Sequence, residues 1–224
     1  TVVDDIYILH QRLKQRYPDV PLCIMGHSMG SFLTRTYLIR YPGTVKAAVI
    51  MGTGWQPRAA ITGGLALANA IAAVSGENAT SELVTELAFG SYNKLFAPNR
   101  TKVDWLSADE SNVDDYIADP LCGADATVGL FRQMLHGIRF NQRQSHLRQM
   151  DREMPVLFVA GDKDPVGNCG KGVRQTYDAF RAAGMRDCTL KLYPGLRHEI
   201  LNEKAYTADI TKNIEAWLLS RLEK

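Results

Sequence analysis

The chain has almost no charge surplus: 26 Lys and Arg against 24 Asp and Glu leave a formal +2 over 224 residues. That excludes the electrostatic footprint of a nucleic-acid binder or of an anionic-membrane binder, and no dense Lys/Arg stripe restores it. Cysteine is scarce as well. Cys23, Cys122, Cys169 and Cys188 stand far apart, with no CxxC and no histidine at ligand spacing. No metal site is expected, and free thiols in a reducing, cytoplasmic setting fit better than disulfides. No apolar run reaches the ~20 residues that cross a bilayer. From Thr1 onward the opening residues form an amphipathic helix rather than a signal peptide. Internal repeats and low-complexity tracts are also missing. The remaining composition, 46% hydrophobic and 22% charged, is that of a globular chain with core enough for one domain, or one domain with a large insertion.

The first helix, "TVVDDIYILHQRLKQRYPD", puts Val2, Ile6, Leu9 and Leu13 on one face and ends at Tyr17-Pro18. Four short apolar runs then read as buried strands: "PLCIMG", "VKAAVIMGTG", "PVLFVAGDKDP" and "CTLKLYPG". Helical patterns lie over 30–41, 172–183 and 208–222, the last with Ile210, Ile214, Trp217 and Leu218 on one face. Strands apolar on both faces that alternate with helices predict a parallel sheet covered on both sides. The rhythm breaks over residues 55–153, where no convincing strand occurs. An inserted helical cap is the simplest reading, leaving 1–54 and 154–224 as the core.

The stretch Gly26-His27-Ser28-Met29-Gly30 has the G-x-S-x-G form between a strand and a helix. The bare pattern is weak, but the context makes it specific. Turning from strand to helix at one residue forces the serine into a strained conformation, and glycines at both flanks avoid clashes with the neighbouring strand and helix. In return the hydroxyl is exposed beside a helix N-terminus, where Met29 N–H becomes an oxyanion donor.

A nucleophile needs partners, and two loops at later strand ends supply them. Asp162 and Asp164 follow the third strand, and His198 follows the fourth. The order Ser28, acid, His198 is that of an α/β-hydrolase triad, with the histidine as proton shuttle and the acid fixing its tautomer. Of the two acids Asp164 is favoured, because a side chain further into the turn reaches the histidine loop; the other caps the turn or meets solvent. Glu199 is expected to point away from its neighbour. His27 is expected to pack or hydrogen-bond locally, and His10, His136 and His146 are expected to be structural.

"GHSMGS", "GDKDPV" and "PGLRHEILNE", with the cap stretch "DWLSADESNVDDYIADPLCG", resemble the α/β-hydrolase superfamily, in its monoglyceride lipase and lysophospholipase-like (serine aminopeptidase-like) branch. The resemblance covers nearly the whole chain. It implies a triad of Ser28, Asp164 and His198, a cap inserted after Thr53, hydrolysis of monoacylglycerol- or lysophospholipid-like esters, and no cofactor. It also implies about four further strands before the first helix, roughly 60 residues at ordinary element lengths, and a second oxyanion donor upstream of Thr1. "ITGGLALANAIAAV" reads first as a helix packed on the core and second as an acyl-chain or lipid-contact element. Two alternatives stand beside the esterase. One is a peptidase or amidase on the same triad, with cap acids Asp109, Glu110, Asp114 and Asp115 receiving a substrate amine. The other is a catalytically silent binding protein. A dehalogenase would carry an aspartate where Ser28 stands.

Overall fold

The computed structural model describes residues 1–222. Four parallel strands, β1 (Cys23–His27), β2 (Ala47–Met51), β3 (Val156–Gly161) and β4 (Cys188–Tyr193), pair in sequence order. The register sets Gly26 beside Ile50 and Val159 beside Met51. Every residue of β2 and β3 is buried, as central strands of a doubly covered parallel sheet must be. Ala48, Ile50, Phe158 and Ala160 face a core built with Tyr37, Leu38, Val173 and Phe180. Val49, Met51, Leu157 and Val159 face a second core with Ile200, Ile210 and Ile214.

The helices around the sheet are α1 (Val2–Arg16), α2 (Met29–Arg40), α9 (Lys171–Ala182) and α10 (Thr207–Leu222). Between β2 and β3 come α3 (Arg58–Ser75), α4 (Glu82–Thr85), a π-helical turn (Glu86–Gly90), α5 (Ser91–Lys94) and a 3-10 turn (Asp104–Leu106). They are followed by α6 (Glu110–Ala118), α7 (Val128–Asn141) and α8 (Gln144–Leu147). Among the described residues this stretch adds no strand to the sheet, only an isolated bridge between Thr80 and Thr127. It docks on α2 through Phe32, Ile61, Leu65 and Ile138, and Asn141 Nδ2 donates to Phe32 O at 2.9 Å.

Two expectations need correction. The α1 face of Val2, Leu9 and Leu13 is exposed, and the residue buried is Val3. The side that meets α2 is fixed instead by Tyr7 stacked on Tyr41 at 4.0 Å and by Asp4 paired with Arg40 at 2.7 Å. The second concerns α3, which is long and apolar enough to cross a membrane by length and composition. It packs on α2 and α7 through one narrow face, with Ile61, Leu65 and Ala68 buried, and leaves most of its remaining surface exposed, so it is core-packed on one side only. Met25 on β1, an edge strand of this sheet, is also exposed.

Candidate active site

Three strand ends converge. Ser28 follows β1 with φ 53° and ψ −121°, a left-handed conformation that L side chains rarely adopt, and stands as N-cap of α2. Its N–H donates to Met51 O at 3.1 Å, tying the turn to the end of β2, while Ser31 donates twice to its carbonyl. The glycines flanking it are not equivalent. A Cβ on Gly26 would lie 2.2 Å from Gly30 O and 2.3 Å from Thr34 Oγ1. A Cβ on Gly30 would meet nothing within 4 Å, so the steric argument that called for glycine at both positions holds only at the first. Gly26→Ala is therefore expected to cost more than ~2 kcal/mol of stability. Gly30→Ala should be neutral or stabilising by up to about 1 kcal/mol, because alanine favours the helix. Thermal melts of the two variants check this, and equal losses would contradict it.

Asp164 lies in the turn after β3 and is completely buried. Both of its carboxylate oxygens are 3.0 Å from His198 Nδ1, and Oδ1 also accepts the Val166 N–H at 2.9 Å. Asp162 is elsewhere: its Oδ1 accepts the Gly195 N–H at 2.8 Å and so caps the turn that leads into the histidine loop. Gly161 makes this crossing feasible, since a Cβ there would lie 2.0 Å from Leu196 O. Glu199 turns away from the site to Asn112 (3.1 Å) and Asn202 (3.0 Å). Among the described residues no hydrogen bond joins the Ser28 hydroxyl to His198, a bond that tightens in many hydrolases only when substrate is bound.

The His198 imidazole is walled in by His27, from the G-x-S-x-G stretch itself, and by Trp105, which no motif announces. The His27 ring lies 4.6 Å away and the Trp105 indole 5.2 Å. Beneath both histidines is Gly52, where a Cβ would approach His198 Cε1 to 3.0 Å and the His27 ring to 3.1 Å. Because a carbonyl only accepts, the contact of His27 Nε2 with His198 O at 3.1 Å makes Nε2 the protonated nitrogen. Burial, reinforced by the neighbouring His198, pushes the His27 imidazole below its ordinary 6.5. The folded protein thus binds fewer protons here than the unfolded chain. Stability contributed by neutral His27 is present above 6.5 and declines as pH falls from there toward the lowered value, by at most about 1.4 kcal/mol per pH unit. His27→Gln should flatten that acid slope in melts between pH 7 and 5; an unchanged slope would contradict the assignment.

The β2 exit behind the site is held by Arg35, whose fully buried guanidinium donates through Nη1 to Gly54 O at 2.9 Å and Thr53 Oγ1 at 3.3 Å. Burial pushes it down to about 9. The other histidines stand apart: His10 stacks near Tyr7, His146 bonds to Phe140 O, and His136 meets Arg139. All four cysteines are free thiols, and no grouping among the described residues could hold a metal ion.

Two cavities lie between residues 55–153 and their surroundings, and neither is lined by Ser28, Asp164 or His198 themselves. One, about 370 Å³ and open to solvent on one side, is lined largely by apolar residues of α3, the π-helical turn and α7, including Ile61, Leu67, Phe89, Phe131 and Leu135. The other, about 540 Å³, is more polar and lies between Trp55, Gln56, Tyr92, Val166 and Gln175. Tyr92 and Gln56 line both. Burial pushes the Tyr92 hydroxyl up to about 12, with the Asp164 charge adding to it, so the phenol stays protonated. Phe89 stacks on Trp105 at 6.3 Å, which links the apolar cavity to the ring beside His198.

Comparison with known proteins agrees with this architecture. A monoacylglycerol lipase of Mycolicibacterium smegmatis is 30% identical over 98% of this chain and 70% of its own length. The mouse monoglyceride lipase is 26% identical over 94% of this chain and 62% of its own. Among solved structures, a thermostable carboxyl esterase from Bacillus coagulans superposes with a TM-score of 0.90 at 24% identity, over 97% of this chain and 70% of that one. At that identity the superposition speaks for the fold alone. Residues 1–205 match the family described as serine aminopeptidase, S33, and the chain belongs to that family of α/β-hydrolases.

Proposed function

We propose that this protein is a serine hydrolase that cleaves carboxylic esters of monoacylglycerol- or lysophospholipid-like molecules through an acyl-enzyme. The observation that carries the reading is the buried Asp164 carboxylate with both oxygens 3.0 Å from His198 Nδ1, beside a strained serine at the start of a helix. Asp164 holds the proton on Nδ1 and leaves Nε2 free to take the Ser28 proton. The alkoxide attacks the ester carbonyl, and the oxyanion develops beside Met29 N–H at the positive end of α2. His198 returns the proton to the departing alcohol, then deprotonates the water that releases the acid. No cofactor takes part in these steps. Residues 55–153 act as a cap, and the 370 Å³ cavity is its acyl-chain site. The exposed apolar side of α3 gives the cap a surface for peripheral contact with lipid.

The cap acids argue against a peptidase subsite for a free amine, despite the family's description. Asp109 caps α6, Asp114 pairs with Arg100 at 2.6 Å, Asp115 with Lys204 at 3.1 Å, and Glu110 lies 3.8 Å from Arg100. Each buried methylene is worth about 0.8 kcal/mol, roughly fourfold in binding. In a series of p-nitrophenyl esters kcat/KM should therefore climb with acyl length until the cavity is full, and Ala60→Trp at its rim should shift the optimum to shorter chains. A maximum at acetyl, or amides cleaved faster than esters, would reject the substrate class.

A further inference from the structure

The loop that carries His198 is bonded on both sides of the histidine to residues 104–115. Arg197 Nη1 donates to Asp104 O and, at 2.9 Å, to Ser107 O, while its guanidinium covers the Phe96 ring at 4.0 Å. Glu199 N–H donates to Leu106 O at 2.8 Å. Glu203, only 2% exposed, accepts the Ala108 N–H at 2.8 Å and the Asp109 N–H at 3.1 Å. A buried carboxylate is tolerated only when its oxygens are partnered, and both partners here are backbone groups of the same short segment. Lifting that segment would strand Glu203 and uncover Arg197.

The segment is also anchored from its other side. Trp105 N–H donates to Asn93 Oδ1 at 3.0 Å. The Asp104 carboxylate gathers the Arg100 N–H at 2.7 Å and the Thr101 N–H at 3.0 Å. Burial alone would raise the Asp104 carboxyl, but the hydrogen bond from the Thr101 hydroxyl, together with these backbone bonds, outweighs it and holds it below its ordinary value. Trp105 is thus fixed between the two anchorages, with its ring 5.2 Å from His198 and 5.3 Å from Tyr92.

We propose that residues 104–109 form a fixed strap, stapled to the histidine loop by Arg197 and Glu203, and that Trp105 is a positioning residue for His198. Its indole occupies the space beside the imidazole and confines the ring to the orientation in which Nδ1 meets both Asp164 oxygens. The proposal rests on the reading of His198 as the catalytic base.

The test compares Trp105→Ala, Trp105→Phe and Glu203→Gln with the wild-type full-length protein. Three quantities are followed: kcat and KM on p-nitrophenyl esters across pH 5.5–9, and the downfield proton resonance of His198 Nδ1–H. A misplaced base costs rate rather than affinity, so Trp105→Ala should lower kcat roughly 10–100-fold with KM changed less than about threefold. Its Nδ1–H resonance should broaden or vanish, and Trp105→Phe should recover kcat to within about fivefold. Glu203→Gln turns an amide donor toward a backbone N–H and should lower kcat about tenfold with the same spectroscopic change. Trp105→Ala that melts earlier but keeps kcat and the resonance would reduce Trp105 to packing and overturn the proposal. Should that variant not fold, Glu203→Gln decides, and a wild-type kcat and resonance there overturn it equally. A wild-type protein inactive on every ester, whose Nδ1–H resonance still responds to these substitutions, would refute the hydrolytic reading and leave the strap standing.

Discussion

Ser28→Ala is expected to lower kcat on esters by a factor on the order of 10⁵–10⁶ while leaving the melting temperature nearly unchanged. The reasoning is local. Attack, proton transfer and acyl transfer all pass through one hydroxyl, so its loss removes the covalent route as a whole and leaves only the residual benefit of binding and oxyanion stabilisation. Alanine keeps the Cβ and therefore meets the same backbone strain at φ 53°, and the elbow is neither relieved nor further loaded. Steady-state rates corrected for background hydrolysis, together with a thermal melt, check both halves of this expectation. A loss below about tenfold would mean that the reaction does not pass through Ser28.

Asp164→Asn is the second large effect, and its size follows from the hydrogen bonds around the carboxylate. Oδ1 already accepts the Val166 N–H at 2.9 Å, so an asparagine keeps its carbonyl oxygen there and puts its amide nitrogen where Oδ2 stood, 3.0 Å from His198 Nδ1, leaving the imidazole only an uncharged oxygen that is already engaged. Two donors cannot face one another. The imidazole then carries its proton on Nε2 and has no lone pair left for the Ser28 hydroxyl. A kcat loss of about 10⁴ is expected, with little change in KM, because the tautomer is wrong while the binding surface is intact. Asp162→Asn removes only the charge of the Gly195 cap and should lose less than about threefold. Near-equal losses in the two variants would show that the acid has been misassigned.

Much of the fold was legible because its signals are local. Runs such as Ala47–Met51 and Val156–Gly161 are apolar without alternation, and only a strand covered on both faces has a use for that. The order of serine, acid and histidine could be read because strand ends place functional groups at predictable points. The choice between Asp162 and Asp164 was less secure in the sequence, for two acids in one turn differ only in where the backbone aims them. What could not be read depends on distant packing. Trp105 lies 93 positions before His198, and nothing in "DWLS" tells where its ring goes. The buried side of α1 depends on the same kind of packing: helical period shows which residues lie together, and tyrosine stacking and an ion pair decide which side meets α2. The G-x-S-x-G form suggests a steric need at Gly30 that its open surroundings do not impose.

The central claim is that Ser28 becomes covalently acylated with His198 as its base. Its most direct test is to treat the full-length protein with a fluorophosphonate and map the adduct by tandem mass spectrometry of the proteolysed protein. The account predicts a single phosphonylated residue, Ser28, whose labelling slows sharply in Asp164→Asn and disappears in Ser28→Ala. An adduct on any other residue, or labelling that persists undiminished in Ser28→Ala, would contradict it.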